Sequence, residues 1–272
     1  MGAIAMAKLK FKPMSSTIPP TAGPRAEFKK IAVFCGSSIG RNSAYTAPTV
    51  ALGEEMARRN IGLVYGGGNV GLMGVIAETV YKGHGCEDSA VVGVIPDYLE
   101  DREVSGTTVG ETIVVKVRGG RRRRRRLCSS RGSHGGWPRM GSSAISRPSL
   151  ALTITIQDMH TRKAKMFEVA DAFIAIPGGL GTLDETIEIS TWQQLGLHTK
   201  PVGLLNVNGF FDKLIEFLDH AVDEEFIRPA SRGIILADED PAALIDKLAA
   251  YVAPRSVVDL ARDGLLDPNV RG

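Results

Sequence analysis

Three segments of this chain carry residues whose types and spacing suit the handling of a phosphorylated ligand. Gly66-Gly67-Gly68-Asn69-Val70-Gly71-Leu72-Met73-Gly74 follows an apolar run and opens a helical pattern. Backbone N–H groups unshielded by side chains, at the positive end of a helix, can cradle a phosphate, so Gly67, Gly68 and Gly71 are phosphate-binding candidates. Tight-turn packing would also select glycine. The segment lacks the Gly-Lys-Ser/Thr of a Walker loop and the spacing of a dinucleotide fingerprint. Pro177-Gly178-Gly179-Leu180-Gly181-Thr182-Leu183-Asp184-Glu185 has the same strand-to-helix placement. Thr182 and Glu185 have capping-box spacing, but a capping box needs neither three glycines nor a preceding proline. A phosphate at this helix start, with a carboxylate one turn in, is what cleavage of a nucleotide requires. Asp158-Met159-His160-Thr161-Arg162-Lys163 begins a third helix. Alone, Arg162 and Lys163 would read as a solvated face, and His160 as a surface or cap histidine.

The elements that must position these residues alternate regularly. Apolar runs at 31–34, 61–65, 91–95, 172–176, 202–207 and 234–236 have the length and continuity of buried parallel strands. Helical patterns fall at about 44–59, 71–82, 159–170 and 182–195. Phe211, Leu214, Leu218 and Val222 mark one later amphipathic face, and Leu244, Ile245, Leu248 and Val252 mark the last. The expected fold is α/β: a Rossmann-like, doubly wound parallel sheet of seven or so strands in a single domain. In such sheets ligands sit beyond the carboxyl ends of the strands, where the glycine segments fall.

Composition excludes several classes. The 272 residues are 43% hydrophobic and 23% charged, and the 31 glycines make about 11% against a usual ~7%. No apolar run approaches the roughly 18 residues of a membrane span. Cys35, Cys86 and Cys128 are an odd count without metal-site spacing, so neither a disulfide framework nor a zinc site is expected. A reducing compartment follows, the cytoplasm first and the nucleus as an addition. The net charge of +3 is partitioned. Residues 116–157 hold +11 with no acid and 1–30 hold +5, so the rest of the chain carries −13. The high isoelectric point therefore says nothing of nucleic-acid binding by the core, for which none is expected. Residues 1–28 read as a disordered basic leader and 253–272 as a C-terminal tail. The domain, 29–252, is interrupted at 116–157 by an Arg/Gly/Ser-rich insertion with six adjacent arginines. Such a stretch is what translation of a GC-rich retained intron would give, and a gene-model or splicing artefact is the leading explanation.

The set of motifs is more specific than any one of them. Cys35-Gly36-Ser37-Ser38, Tyr65-Gly66-Gly67-Gly68, Leu72-Met73-Gly74, Val109-Gly110-Glu111-Thr112, Asp158-Met159-His160 with Arg162-Lys163-Ala164, and Pro177 through Glu185 occur in this order. Ile189-Ser190-Thr191-Trp192, Gln194-Leu195-Gly196 and Pro201 through Val207 continue it. Over about 30–115 and 158–252 the chain resembles the Lonely Guy proteins, cytokinin riboside 5′-monophosphate phosphoribohydrolases long mislabelled lysine decarboxylases, and it looks like a plant-type member. The resemblance implies hydrolysis of the N-glycosidic bond of an N6-prenylated adenosine monophosphate to free base and ribose 5-phosphate, by a homodimer needing neither metal nor other cofactor. By matching position it implies Arg162 and Glu185 as the catalytic pair. The implied substrate contacts are Glu103, Lys163, the loop residues Gly178, Gly179, Leu180, Gly181, Thr182, Leu183 and Asp184, and Thr191. Asp184 stands where plant members usually have Glu, and Asp101 where they have Pro. The family runs from Val115 almost directly into Asp158. Two other readings remain open: a nucleosidase for unmodified nucleoside monophosphates, and a non-enzymatic carrier of a phosphorylated ligand like the molybdenum-cofactor carriers.

Overall fold

A computed structural model describes residues 26–41, 43–96, 109–116, 152–155 and 159–265. Its centre is an eight-stranded, all-parallel sheet: β1 (Lys30–Phe34), β2 (Gly62–Tyr65), β3 (Val91–Pro96), β4 (Glu111–Lys116), β5 (Leu152–Thr155), β6 (Ala172–Ala175), β7 (Val202–Leu205) and β8 (Ile235–Asp238). The order across the sheet is β5-β4-β3-β2-β1-β6-β7-β8. The chain thus winds outward from β1 in one direction and, from β6, in the other. Ile31 pairs with Leu63 on one side and with Ala172 on the other. Such a reversal leaves a crevice at the strand ends between β1 and β6.

Helices cover both faces. On one lie α1 (Thr46–Arg58), α2 (Gly71–Gly83) and a later helix, α7 (Pro241–Ala249); on the other lie α3 (Met159–Val169), α4 (Leu180–Gln194) and α5 (Asp212–Asp223), with the short α6 (Pro229–Arg232) beside them. Burial follows the helical period. Thr49, Leu52, Gly53 and Met56 of α1 and Leu72, Met73, Ile76, Ala77 and Val80 of α2 face inward. Because both faces are covered, the central strands are buried at every position, as their uninterrupted apolar runs require.

Below the sheet, at the ends away from the crevice, two residues clasp α3 to α4. Lys200 Nζ donates to the carbonyls of Phe167 (2.6 Å) and Ala170 (2.7 Å) at the end of α3 and lies over the Phe167 ring. His198 Nδ1 accepts from the Lys200 backbone N–H, while Nε2 lies 2.9 Å from the Ile189 carbonyl of α4. One nitrogen accepts and the other donates, which is the neutral ring. Burial holds its pKa below the usual value.

The structure departs from the sequence reading in five places. β5 falls within 116–157 and pairs with β4, Lys116 beside Thr155, which raises the strand count to eight. Helix α4 starts at Leu180, with Gly179 as its N-cap residue and no side-chain cap, so Thr182 and Glu185 form no capping box. Val252 lies beyond the end of α7 and is exposed. A further helix, α8 (Val257–Arg262), capped by Ser256, stands in the stretch assigned to a tail. At the other end Ala26 N–H donates to Ala249 and Phe28 packs on the core, so the last residues of the assigned leader are part of the fold. Residues 117–151 and 1–25 lie outside the described residues. Among the described residues no helix is long and apolar enough to cross a membrane.

Candidate active site

Three loops meet above the crevice. They follow β1 (Cys35-Gly36-Ser37-Ser38), β2 (Gly66 to Val70) and β6 (Ile176 to Gly179). Backbone hydrogen bonds join them: Leu72 N–H donates to Gly36 O (3.1 Å), and Gly36 N–H donates to Pro177 O (3.2 Å). The β1 loop is therefore held on both sides by main chain alone.

The two glycine segments differ in what glycine does there. In the first, Gly67 is buried at φ +81°, and a Cβ would stand 2.8 Å from Ile95. Gly71 has φ +63°, and a Cβ would come within 2.3 Å of the Ser37–Ser38 backbone. Gly68 is buried. Packing and backbone conformation account for Gly67 and Gly71 without any ligand. In the second segment Gly178 is also a packing residue, its Cβ position lying 2.1 Å from Thr182 Oγ1. Gly179 and Gly181 are not: both are exposed, neither has positive φ, and among the described residues nothing lies within 4 Å of their Cβ positions. The first N–H groups of α4, those of Leu180, Gly181 and Thr182, precede the bond from Leu183 N–H to Gly179 O. Among the described residues nothing caps or covers this positive start of a 15-residue helix.

Beside that start stand the charged side chains. Arg162, on the first turn of α3, is buried. Its Nε donates to Val94 O at the end of β3 (3.0 Å), and Nη1 lies 3.4 Å from Glu185 Oε1. Nη2 rests against Gly66, where a Cβ would come within 2.6 Å. Gly66 is therefore the residue that lets Arg162 approach the sheet, a role the sequence reading did not assign. Glu185 is 13% exposed. Lys163 Nζ lies 2.7 Å from Asp184 Oδ2 and 2.7 Å from Glu188 Oε2, the latter a contact of charges rather than an aligned hydrogen bond. Cys35 also faces Glu185. Burial, with the Glu185 charge adding to it, pushes its thiol pKa well above the ordinary range, so it is not a nucleophile at neutral pH.

Of the residues implied by resemblance, Arg162, Lys163, Asp184, Glu185 and the Gly178–Thr182 turn come together here. Leu180 projects into solvent, while Leu183 packs against the cluster of Ala175, Leu204 and Phe211, an apolar contact that explains it without a ligand. Thr191 is six residues beyond Glu185, about 240° round the helix and 9 Å along it. It faces a cleft shared with Leu218, Ile227, Ser231 and Ile235 rather than the Arg162–Glu185 pair. Glu103 and the His160 side chain lie outside the described residues. Among the described residues no cluster of three or more His, Cys, Asp or Glu is arranged to hold a metal.

A family model described as "Possible lysine decarboxylase" matches residues 124–248. A probable cytokinin riboside 5′-monophosphate phosphoribohydrolase of Oryza sativa subsp. japonica (LOGL6) is 44% identical over 85% of this chain and 74% of its own length. The cytokinin riboside 5′-monophosphate phosphoribohydrolase LOG1 of Arabidopsis thaliana is 43% identical over 84% of this chain and 85% of its own. A solved molybdenum-cofactor (Moco) carrier protein of Chlamydomonas reinhardtii aligns at 17% identity and a TM-score of 0.46, over 82% of this chain and 98% of its own, too distant to bear on function.

Proposed function

Since the chain belongs to the family of cytokinin riboside 5′-monophosphate phosphoribohydrolases, we propose that it hydrolyses the N-glycosidic bond of such a monophosphate, releasing free cytokinin and ribose 5-phosphate. The observation that carries this reading is the placement of the Arg162–Glu185 pair beside the bare start of α4. The 5′-phosphate binds the N–H groups of that helix start, where Gly179 and Gly181 leave room for it. Anchoring the phosphate locates C1′ of the ribose near Glu185.

Breaking the bond builds oxocarbenium character at C1′ and negative charge on the departing base. The Glu185 carboxylate offsets the first and orients the attacking water. Water adds its oxygen to C1′, and the proton it releases ends on the base. Arg162 stays protonated at any working pH, so it is not the proton donor. Fixed by Val94 O and pressed on Gly66, it supplies a preorganised positive charge against the substrate's developing or standing negative charge.

The enzyme acts as a homodimer in the cytoplasm or nucleus. Support for a dimer comes from α4 and α5, which leave Ile187, Leu195 and Phe217 exposed. Thr191 on the same side of α4 meets substrate only if a second chain brings it there. The free thiols of Cys35 and Cys86 are in keeping with a reducing compartment.

The test is to incubate the purified protein with isopentenyladenosine monophosphate, its riboside and AMP, and to measure free base. The prenylated monophosphate is cleaved and the riboside hardly at all. Glu185→Gln lowers turnover by about 10²–10⁴-fold while the monophosphate still binds. Near-normal turnover by that variant, or equal kcat/KM on riboside and monophosphate, would overturn the reading.

A further inference from the structure

Two cations on α3 and three carboxylates on α4 share one small volume, and the way they pair is uneven. Arg162 meets Glu185 at 3.4 Å, whereas Lys163 makes two contacts of 2.7 Å, to Asp184 and Glu188. Lys163 is 11% exposed, Glu188 18% and Asp184 64%. The Asp184 contact is open to solvent and therefore weak. Glu188 is the sheltered anchor. Lys163, Glu185 and Glu188 also line, with Phe34 and Ile189, a pocket too narrow to admit a water. With all three side chains largely sheltered, their charges act on one another more strongly than at an open surface. Burial works against the Lys163 charge, and Asp184 and Glu188 more than offset that, leaving its pKa raised.

We propose that Glu188 is a positioning residue for the reaction: it holds the Lys163 ammonium away from Glu185, so that the Glu185 carboxylate is kept for the substrate. The inference rests on the reading of Glu185 given above. Glu188 is three residues beyond Glu185, which places the two carboxylates on one side of the helix. Among the described residues, the charged or titratable groups facing Glu185 are Arg162 and Lys163 from α3, Cys35 from the end of β1, and Asp184 and Glu188 from its own helix. Arg162 is tied to Val94 and Cys35 is held neutral by burial, which leaves Lys163 as the group able to change partner. With Glu188 neutralised, the sheltered carboxylate left within the pocket is Glu185. Lys163 then pairs with it, stabilising its ionised form and cancelling the charge that should face C1′.

The test is a double-mutant cycle in the full chain. Glu188→Gln lowers kcat on the monophosphate on the order of tenfold, a small part of what a positioned base supplies. KM changes little, and the acid limb of the kcat profile moves to lower pH. Glu188→Asp, which keeps the charge, recovers part of the loss. Added to Lys163→Met, Glu188→Gln has no further effect on kcat or on the acid limb, because no lysine remains to migrate. The proposal is overturned if Glu188→Gln leaves kcat and the acid limb unchanged, or if its effect persists in the Lys163→Met background. Glu185→Gln, run alongside, separates the two readings: an inactive Glu185→Gln with a wild-type Glu188→Gln defeats this proposal alone, whereas an active Glu185→Gln defeats the assignment of Glu185 itself.

Discussion

The two glycine segments look alike as sequence and do opposite things as structure. Each follows a parallel strand and opens a helix, yet Gly67 and Gly71 are glycine because protein atoms are already there, and Gly179 and Gly181 although no described residue is there. The first loop is a joint, pressed against the β1 loop on one side and β3 on the other. The second is a mouth. A run of glycines in a strand-to-helix turn thus becomes evidence for a ligand only after close packing and positive φ have been subtracted.

Substitution by alanine breaks or sharpens this contrast most directly. Gly71→Ala combines a positive φ with a clash against main chain, and it should cost about 2–4 kcal/mol, read as a fall in Tm or insoluble expression. Gly179→Ala should change stability by no more than about 0.5 kcal/mol. Gly181→Ala, in the first turn of α4, should be neutral or stabilising by up to about 1 kcal/mol. Both should nevertheless lower kcat/KM on the monophosphate on the order of tenfold or more, since a methyl group would stand where the proposed reading puts the phosphate. Full activity in both variants would make the second loop as structural as the first.

A smaller effect is expected from shortening the chain between β4 and α3. β5 is an edge strand paired only with β4, and none of the groups that hold Arg162 (Val94, Gly66, Glu185) belongs to it. Helix α3 packs on β1, β2 and β3, so the end of β4 lies nearer to it than the end of β5. Joining Lys116 to Asp158 through one or two glycines should give a folded protein with equal or higher turnover, because eleven positive charges that could compete for the substrate phosphate are reduced to Lys116 alone. Assays at low and moderate salt would show it, with the gain largest at low salt. A shortened chain that fails to fold, or loses activity the full chain has, would make the segment a working part of the site.

The smallest effect concerns the clasp beneath the sheet. His198 is neutral in the fold and its pKa is lowered by burial, so the unfolded chain binds the proton more readily. The stabilisation is complete above the ordinary histidine value of about 6.5 and is lost as pH falls through the lower folded value. Tm should therefore decline on acidification from neutral pH, and His198→Gln should flatten part of that slope in melts followed by circular dichroism.

What could be read in the sequence was whatever local pattern dictates. β1, β2, β3 and β6 are short apolar runs closed by Gly or Pro, and α2 shows its buried stripe outright. Asp240 followed by Pro241 announces the start of α7, where Asp240 Oδ1 accepts from Ala243 N–H. The Arg162–Glu185 pair was not legible in this way. Arg162 and Glu185 are on different helices: the spacing of a carboxylate one turn into a glycine-led helix pointed to Glu185, but only the order of motifs shared with a known family paired it with Arg162. Gly66 was one glycine among three, distinguished solely by the guanidinium lying on it. Glu188 has the look of any exposed helix glutamate, and its burial against Lys163 comes from the packing of α3 on α4. The capping-box reading of Thr182 and Glu185 failed because the bare Gly179 backbone starts the helix earlier. β5 alternates apolar residues with threonine, the period of a strand, but it went uncounted because it lies inside the Arg/Gly/Ser-rich segment 116–157 and was set aside with it.

The stitching of the three loops has a consequence for how this scaffold can be altered. Gly36 grips the loop on either side through its N–H and C=O, and neither bond depends on a side chain beyond the glycine itself. Ser37 and Ser38 can therefore be exchanged without unpicking the junction, much as the tiles of a floor can be changed without moving the joists. Libraries built at these two serines would leave the junction intact. The distance from the start of α4 to the Arg162 seat would remain the same in every member.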